Sequence, residues 1–231
     1  MKIIAISDTH EQHKWLDQFL YDPEFIKDVD MIICAGDTAN SKSPVLNHNA
    51  QLEFIDWYAE LPFKYKIYVP GNHNTSEHGI YKDIYEYNNI YRLIHELVVI
   101  NKIRIFGSPY TPTFGTGWAY NVPRHKINTY WDEIPDNTDI LITHGPPKGI
   151  LDLTHVNNTL TEQVGCKSLL NHVLGRVKPN YHIFGHLHDE ENIFNYGYRL
   201  IGDTTFINAS IVDLHHNPIN LPIKIEYESQ R

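Results

Sequence analysis

The chain of 231 residues carries a formal net charge of −9, with 42% hydrophobic and 20% charged residues, and is long enough to bury a substantial core. The acidic balance and the lack of any Lys/Arg track argue against broad binding to nucleic acid or anionic membrane, and no apolar run reaches the roughly 18 residues a spanning helix needs. The two cysteines, Cys34 and Cys166, are far apart and suggest neither a disulfide framework nor a structural zinc site. The apolar start "MKIIAI" is stopped by Ser7-Asp8-Thr9-His10 too early for a signal peptide, so cytoplasmic residence is the expectation.

In chain order, five short apolar runs read as buried strands, each ending in a polar or glycine-bearing turn. They are Ile3–Ile6 before "SDTH", Met31–Ala35 before "GDT", Ile67–Val69 before "PGNH", Ile140–Thr143 before "HGPP" and Ile183–Phe184 before "GHLH". Hairpins are expected around Asn101-Lys102 and Gly202-Asp203. Helices are expected over Lys14–Leu20, Asn49–Glu60 and Thr161–Leu174, the last terminated by Gly175. No repeat or Ser/Gly-rich linker divides the chain, so a single domain over 1–231 is expected. Strands alternating with helices at the front and hairpins toward the back suggest α/β architecture with mixed sheets and helices outside. In such sheets ligands sit beyond the carboxyl ends of the strands, where all five polar clusters fall.

Those clusters are Asp8-x-His10, Gly36-Asp37, Gly71-Asn72-His73, His144-Gly145 and Gly185-His186-x-His188. Each alone is commonly a turn; five in this order, each after an apolar run, form a constellation. Carboxylate, amide oxygen and imidazole without thiolate suit Mn, Fe, Zn or Co. The donors exceed what one octahedral ion needs, whereas two ions about 3.5–4 Å apart, bridged by one carboxylate, would use them.

The motif series DxH, GD, GNH, H and GHxH resembles that of the calcineurin-like metallophosphoesterases. The segments "SPYTPTFGTGWAYNVPR", "DILITHGPPKGILD", "VGCKSLLNHV" and "TTFINASIVDLHHNPINLPI" resemble the metallophosphoesterase-domain-containing branch found in animals. The resemblance implies a four-layer α/β/β/α sandwich of two mixed sheets flanked by helices. It implies one divalent ion on Asp8, His10, Asp37 and His188 and another on Asp37, Asn72, His144 and His186, with Mn first among the candidate metals and Asp37 bridging. It implies that His73 stands outside the metal shells and acts on the leaving group while a hydroxide activated by the binuclear centre attacks phosphorus. The substrates expected are small phosphodiesters, cyclic nucleotides among the candidates, although the resemblance itself says little about substrate. A phosphomonoesterase, a nuclease or a low-turnover nucleotide-binding regulatory module are the alternatives.

Some members of that branch carry Gly in place of the first His of GHxH; this chain keeps His186. The family usually carries Asp or Glu after GNH, where this chain has Asn74, so His73 is expected to protonate less readily. His13 reads as a solvent-facing helix start and His182 as a sheet histidine satisfied by a neighbour, on one face with Phe184. His48, His78, His95, His125, His155, His172, His215 and His216 have no motif context. Tyr110, Phe114, Trp118 and Tyr120 are either a packed loop or a stacking platform for a nucleobase.

Overall fold

The computed structural model describes residues 1–76, 89–157 and 160–228. Fifteen strands are present among them, in chain order β1 Lys2–Ile6, β2 Val29–Cys34, β3 Tyr65–Tyr68, β4 Ile90–Arg92, β5 Glu96–Ile100, β6 Ile103–Ser108, β7 Thr111–Pro112, β8 Asn121–Val122, β9 Ile140–Thr143, β10 Leu153–Asn157, β11 Leu160–Gln163, β12 Tyr181–Phe184, β13 Gly197–Ile201, β14 Thr204–Asn208 and β15 Ile223–Glu226. The first large sheet has the order β15-β1-β2-β3-β4, parallel except for β15. The second runs β13-β14-β12-β9-β6-β5, parallel at its centre, with an antiparallel strand at each edge.

The central strands are apolar throughout because both of their faces are covered. Alternate residues point to opposite sides. Ile3, Ala5, Met31, Ile33 and Ile67 of the first sheet pack with Ile105, Ile140, Ile142, Ile183 and Ile207 of the second in one cluster. Ile4, Ile6, Ile32, Cys34 and Tyr68 face the other way, against Leu16 and Leu20 and against Phe54 and Tyr58. Those partners come from the short α1 (Asp17–Leu20), the 3-10 turn before it, and α2 (Pro44–Glu60). On the far side, Phe106, Leu141, Phe184 and Phe206 pack against Trp131 of α3 (Asn128–Asp132) and Leu169 of α4 (Lys167–His172). This is the stacking of two mixed sheets face to face with helices outside.

Both expected hairpins form. Asn101 and Lys102 both take positive φ, the signature of a two-residue turn matched to strand twist. The helix α2 begins at Pro44, five positions before the expected Asn49, because Ser43-Pro44 places proline in the first turn, where its missing N–H costs nothing. The expected helix over Thr161–Leu174 is corrected. Leu160–Gln163 is an exposed strand paired with β10, and the helix starts only at Lys167. It then runs through Gly175 in a wider π-type turn and stops at Lys178, whose φ of 46° is left-handed. Among the described residues no helix is long and apolar enough to cross a membrane.

Candidate metal centre

The motif side chains all lie just past the carboxyl ends of strands. The first sheet supplies Asp8, His10, Asp37, Asn72 and His73, and the second supplies His144, His186 and His188. The chain turns sharply to present them: Asp8, His10, Asp37 and His186 have φ of 52°, 41°, 51° and 70°. Left-handed backbone costs roughly 1–2 kcal/mol at a non-glycine residue, and hydrogen bonds between the loops hold it in place. Asp8 N–H donates to Gly36 O at 2.8 Å, His10 N–H to Asp37 O at 3.0 Å, and Gly185 N–H to His144 O at 3.0 Å.

Asp8 and Asp37 are buried, and among the described residues neither is paired with a Lys or Arg. Asp37 Oδ1 accepts from His73 N–H at 2.7 Å, while Oδ2 lies 3.2 Å from His144 Nε2. Asn72 Oδ1 is 2.9 Å from the same nitrogen. Both oxygens of Asp8 accept from His186 N–H, at 3.0 and 2.9 Å, and Oδ1 is 3.3 Å from His188 Nε2. His10 Nε2 faces His188 Nε2 at 3.3 Å.

Two ring tautomers follow from carbonyl partners, which only accept. His144 Nδ1–H donates to Ala35 O at 2.9 Å and His188 Nδ1–H to Asp213 O at 3.1 Å, so each neutral ring turns the Nε2 lone pair inward. Three groups of side chains bring their ligand atoms within 4.8 Å of one another: His10, His188 and His216; His10, Asp37 and His73; Asp37, His144 and His186. Asp37 belongs to two of them. Buried carboxylates with no Lys or Arg partner among the described residues, inward lone pairs and no thiolate fit divalent cations.

Burial alone would lower the basicity of His144 and raise that of Asp37, but their mutual attraction wins: His144 is raised to about 9 and Asp37 falls well below the ordinary carboxylate range. His188 is likewise raised, against its burial, by the Asp8 carboxylate. Burial pushes His10 and His182 down to about 3 and His13 to about 4. The metal-free protein is therefore expected to be most stable near pH 6.5. The stabilisation from His144 and His188 is complete below that pH and is lost as pH rises, through about 9 for His144. Below pH 6.5 the unfolded chain takes up protons that folded His10, His13 and His182 refuse, removing about 1.4 kcal/mol per histidine per pH unit. Melting of chelator-treated protein from pH 4 to about pH 10 checks this; stability still rising between about pH 7 and 9 would contradict the His144–Asp37 pairing.

Several single-residue expectations change. Asn74 does not reach for His73. Its Oδ1 accepts from Gly71 N–H at 2.8 Å and Asp37 N–H at 3.1 Å, and its amide donates to Thr38 Oγ1 at 2.8 Å. It braces the loop that aims Asp37. The His73 carbonyl is instead held by Asn47 of α2, whose amide donates to it at 2.7 Å.

His13 is buried rather than solvent-facing, packed 5.0 Å from Trp57 and 5.7 Å from Phe54. The turn before α1 rolls that position onto the outer core. His182 finds the expected neighbour at one nitrogen only: Thr143 Oγ1 donates to Gly145 O at 2.7 Å and takes a hydrogen bond from His182 Nε2–H at 2.8 Å, while the buried Nδ1 has no partner among the described residues. The aromatic segment divides. Tyr110 packs on Tyr130 and His95, away from the centre, and Tyr120 packs near Tyr110. Phe114 lies 5.0 Å from His186, and Trp118 lies 4.5 Å from His73, with Lys42 Nζ 4.2 Å from its ring. The segment is tied to the GNH motif by Ala119 N–H donating to Asn72 O at 3.0 Å.

His216, which has no motif around it, reaches the centre: its ring stacks on His10 at 4.0 Å. His78 lies outside the described residues. Beside His186 opens a cavity of about 280 Å³, walled by Pro112, Phe114, Pro146, Val164 and Leu187. Arg124 also lines it, with two guanidinium nitrogens donating to Val164 O and Gly165 O at 2.7 and 3.2 Å.

Against known proteins, the sequence model of the calcineurin-like phosphoesterases matches residues 1–190. Metallophosphoesterase domain-containing protein 1 of Homo sapiens is 33% identical over 255 residues, spanning 100% of this chain and 72% of that protein. Two solved structures share the fold at low identity. A phosphopantetheinyl hydrolase from Mycobacterium tuberculosis has a TM-score of 0.54 at 13% identity, over 100% of this chain and 97% of that one. A putative 5'-nucleotidase from Staphylococcus aureus has a TM-score of 0.54 at 14% identity, over 97% of this chain and 53% of that one.

Proposed function

The chain belongs to the calcineurin-like phosphoesterase family, and on that footing we propose that it is a two-metal phosphodiesterase acting on small phosphodiesters. The observation that carries the reading is Asp37, a buried carboxylate common to two donor groups at the meeting of the two sheets. Asp8, His10, Asp37 and His188 would hold one ion; Asp37, Asn72, His144 and His186 would hold the other. Mn is first among the candidates, with Fe, Zn and Co also suited to these donors. Bound there, two divalent ions lower the pKa of a coordinated water toward neutrality and neutralise phosphoryl charge.

The remaining work falls to this chain's side chains. His73, between His10 at 4.7 Å and Trp118 at 4.5 Å, gives a proton or hydrogen bond to the departing oxygen. Phe114 and Trp118 form an apolar rim that limits water at the centre. A diester is favoured over a monoester by the cavity beside His186. Its wall suits an uncharged ester arm, and its one guanidinium already has two nitrogens engaged with carbonyl oxygens. Both cysteines are buried and neither is in a disulfide, which suits the reducing cytoplasmic setting included in this reading.

The test is metal analysis of purified protein joined to a Mn-reconstituted panel of mono-, di- and cyclic phosphoesters. Two ions per chain and preferential cleavage of activated diesters are expected; fewer than one ion with no hydrolysis would overturn the reading. Full loading without turnover, with nucleotide co-purifying, would instead mark a binding module. His73→Ala is expected to keep both ions and lose roughly 10²-fold or more in kcat, most with poor leaving groups. Loss of metal in that variant, or full activity on a poor leaving group, would remove His73 from its role.

A further inference from the structure

We propose that His216 is a substrate-contacting residue, a neutral imidazole whose Nε2–H donates a hydrogen bond to an oxygen of the phosphoester, held for that purpose by Asn40. This role presupposes that the centre binds phosphoesters.

His216 enters from the loop between β14 and β15, and three contacts fix its place. The loop is built on Asp213, whose carboxylate accepts from the backbone N–H of His215 at 2.9 Å and of Asn217 at 2.8 Å. His216 N–H donates to Asp213 O at 3.0 Å, the same carbonyl that takes the Nδ1–H of His188. One backbone oxygen thus sets both a motif histidine and His216. The left-handed φ of 61° at His216 then turns the side chain over the centre. Its ring lies flat on His10, 4.0 Å away with planes 7° apart, and edge-on to His188 at 5.6 Å and to His73 at 6.3 Å. It therefore stands on the side of the centre where His73 meets the leaving group.

The hydrogen-bond partner decides between donor and metal ligand. At His144 and His188 a carbonyl accepts from Nδ1–H, which leaves Nε2 a free lone pair for a cation. At His216 the partner of Nδ1 is the amide nitrogen of Asn40, at 3.0 Å. An amide nitrogen only donates, so Nδ1 accepts and the single proton of the neutral ring resides on Nε2. A protonated nitrogen offers nothing to a cation and suits an anionic oxygen. Asn40 lies in the loop that carries Asp37, and its own N–H donates to Glu11 Oε1 at 2.9 Å.

The experiment uses the Mn-reconstituted full chain and its His216→Ala, His216→Gln and Asn40→Ala variants. It reads ion content, calorimetric affinity for orthovanadate, and kcat/KM on one activated diester. His216→Ala is expected to keep two ions per chain while vanadate affinity and kcat/KM each fall roughly 10- to 100-fold. His216→Gln, which keeps an N–H donor, should recover part of both, and Asn40→Ala should show a smaller loss of the same kind. An ion lost from His216→Ala would make the residue a ligand and overturn the proposal. So would full ion content with unchanged vanadate affinity and kcat/KM. If the wild-type chain, fully loaded, bound no vanadate and cleaved no ester, the phosphoesterase reading itself would fall, separately from the role of His216.

Discussion

Asp37→Asn is expected to reduce kcat/KM by roughly 10³-fold or more and to lower the ion content from two per chain to one or fewer. Asparagine has nearly the same shape, so the hydrogen bond from His73 N–H, 2.7 Å from Oδ1, can persist and the loop need not collapse. What disappears is the negative charge that two of the three donor groups share. His144 loses the carboxylate 3.2 Å from its Nε2, and the raised basicity that depends on it, so metal-free Asp37→Asn should also lose the His144 share of the decline in stability between about pH 6.5 and 9, leaving the share from His188. Elemental analysis, steady-state kinetics and far-UV circular dichroism on one preparation separate these effects. A variant with both ions and more than about a tenth of wild-type activity would show that Asp37 is not the bridge, since two cations close together need a shared anion to offset their repulsion.

Gly185→Ala is expected to cost about 2–4 kcal/mol of stability, a fall of roughly 5–15 °C in melting temperature, and to abolish ion binding at the Asp8 side. Gly185 does not have positive φ; the constraint is space. A Cβ there would fall deep inside van der Waals contact with Asp8 Oδ2 and Ser7 Oγ, and 2.7 Å from Ser7 Cβ. Both neighbours are fully buried at the end of β1, and the Asp8 carboxylate is already engaged by His186 N–H. Relief requires either rotating that carboxylate away or parting the two sheets at their carboxyl ends. Melting within about 1 °C of wild type, with normal ion content, would show that the contact relaxes cheaply.

The motif ends were legible because a parallel strand covered on both faces must be apolar throughout, which makes the first polar residues after it conspicuous. That is why Asp8, Asp37, Asn72, His144 and His186 all emerge from local pattern although they converge from distant parts of the chain. Contacts that depend on chain reversal were not legible. His216 does not directly follow a strand but lies in the loop after β14, which ends at Asn208, and its approach to His10 depends on how that segment folds back. The strand Leu160–Gln163 is exposed along its whole length, so it lacks the alternation that would distinguish it from a helix. The fate of Asn74 was hidden for another reason: a side chain beside His73 in sequence can turn to Gly71 and Asp37 N–H instead.

The division of the centre between the two sheets has a kinetic side. Neither sheet carries a complete donor set: both carboxylates come from one, and three of the motif histidines from the other. An isolated half of the protein, or an intermediate with undocked sheets, has little affinity for a cation. If the sheets dock after the folding transition state, an ion captured between them stabilises the native state with little help to that transition state. Its effect then falls on how long the folded protein lasts rather than on how fast it forms.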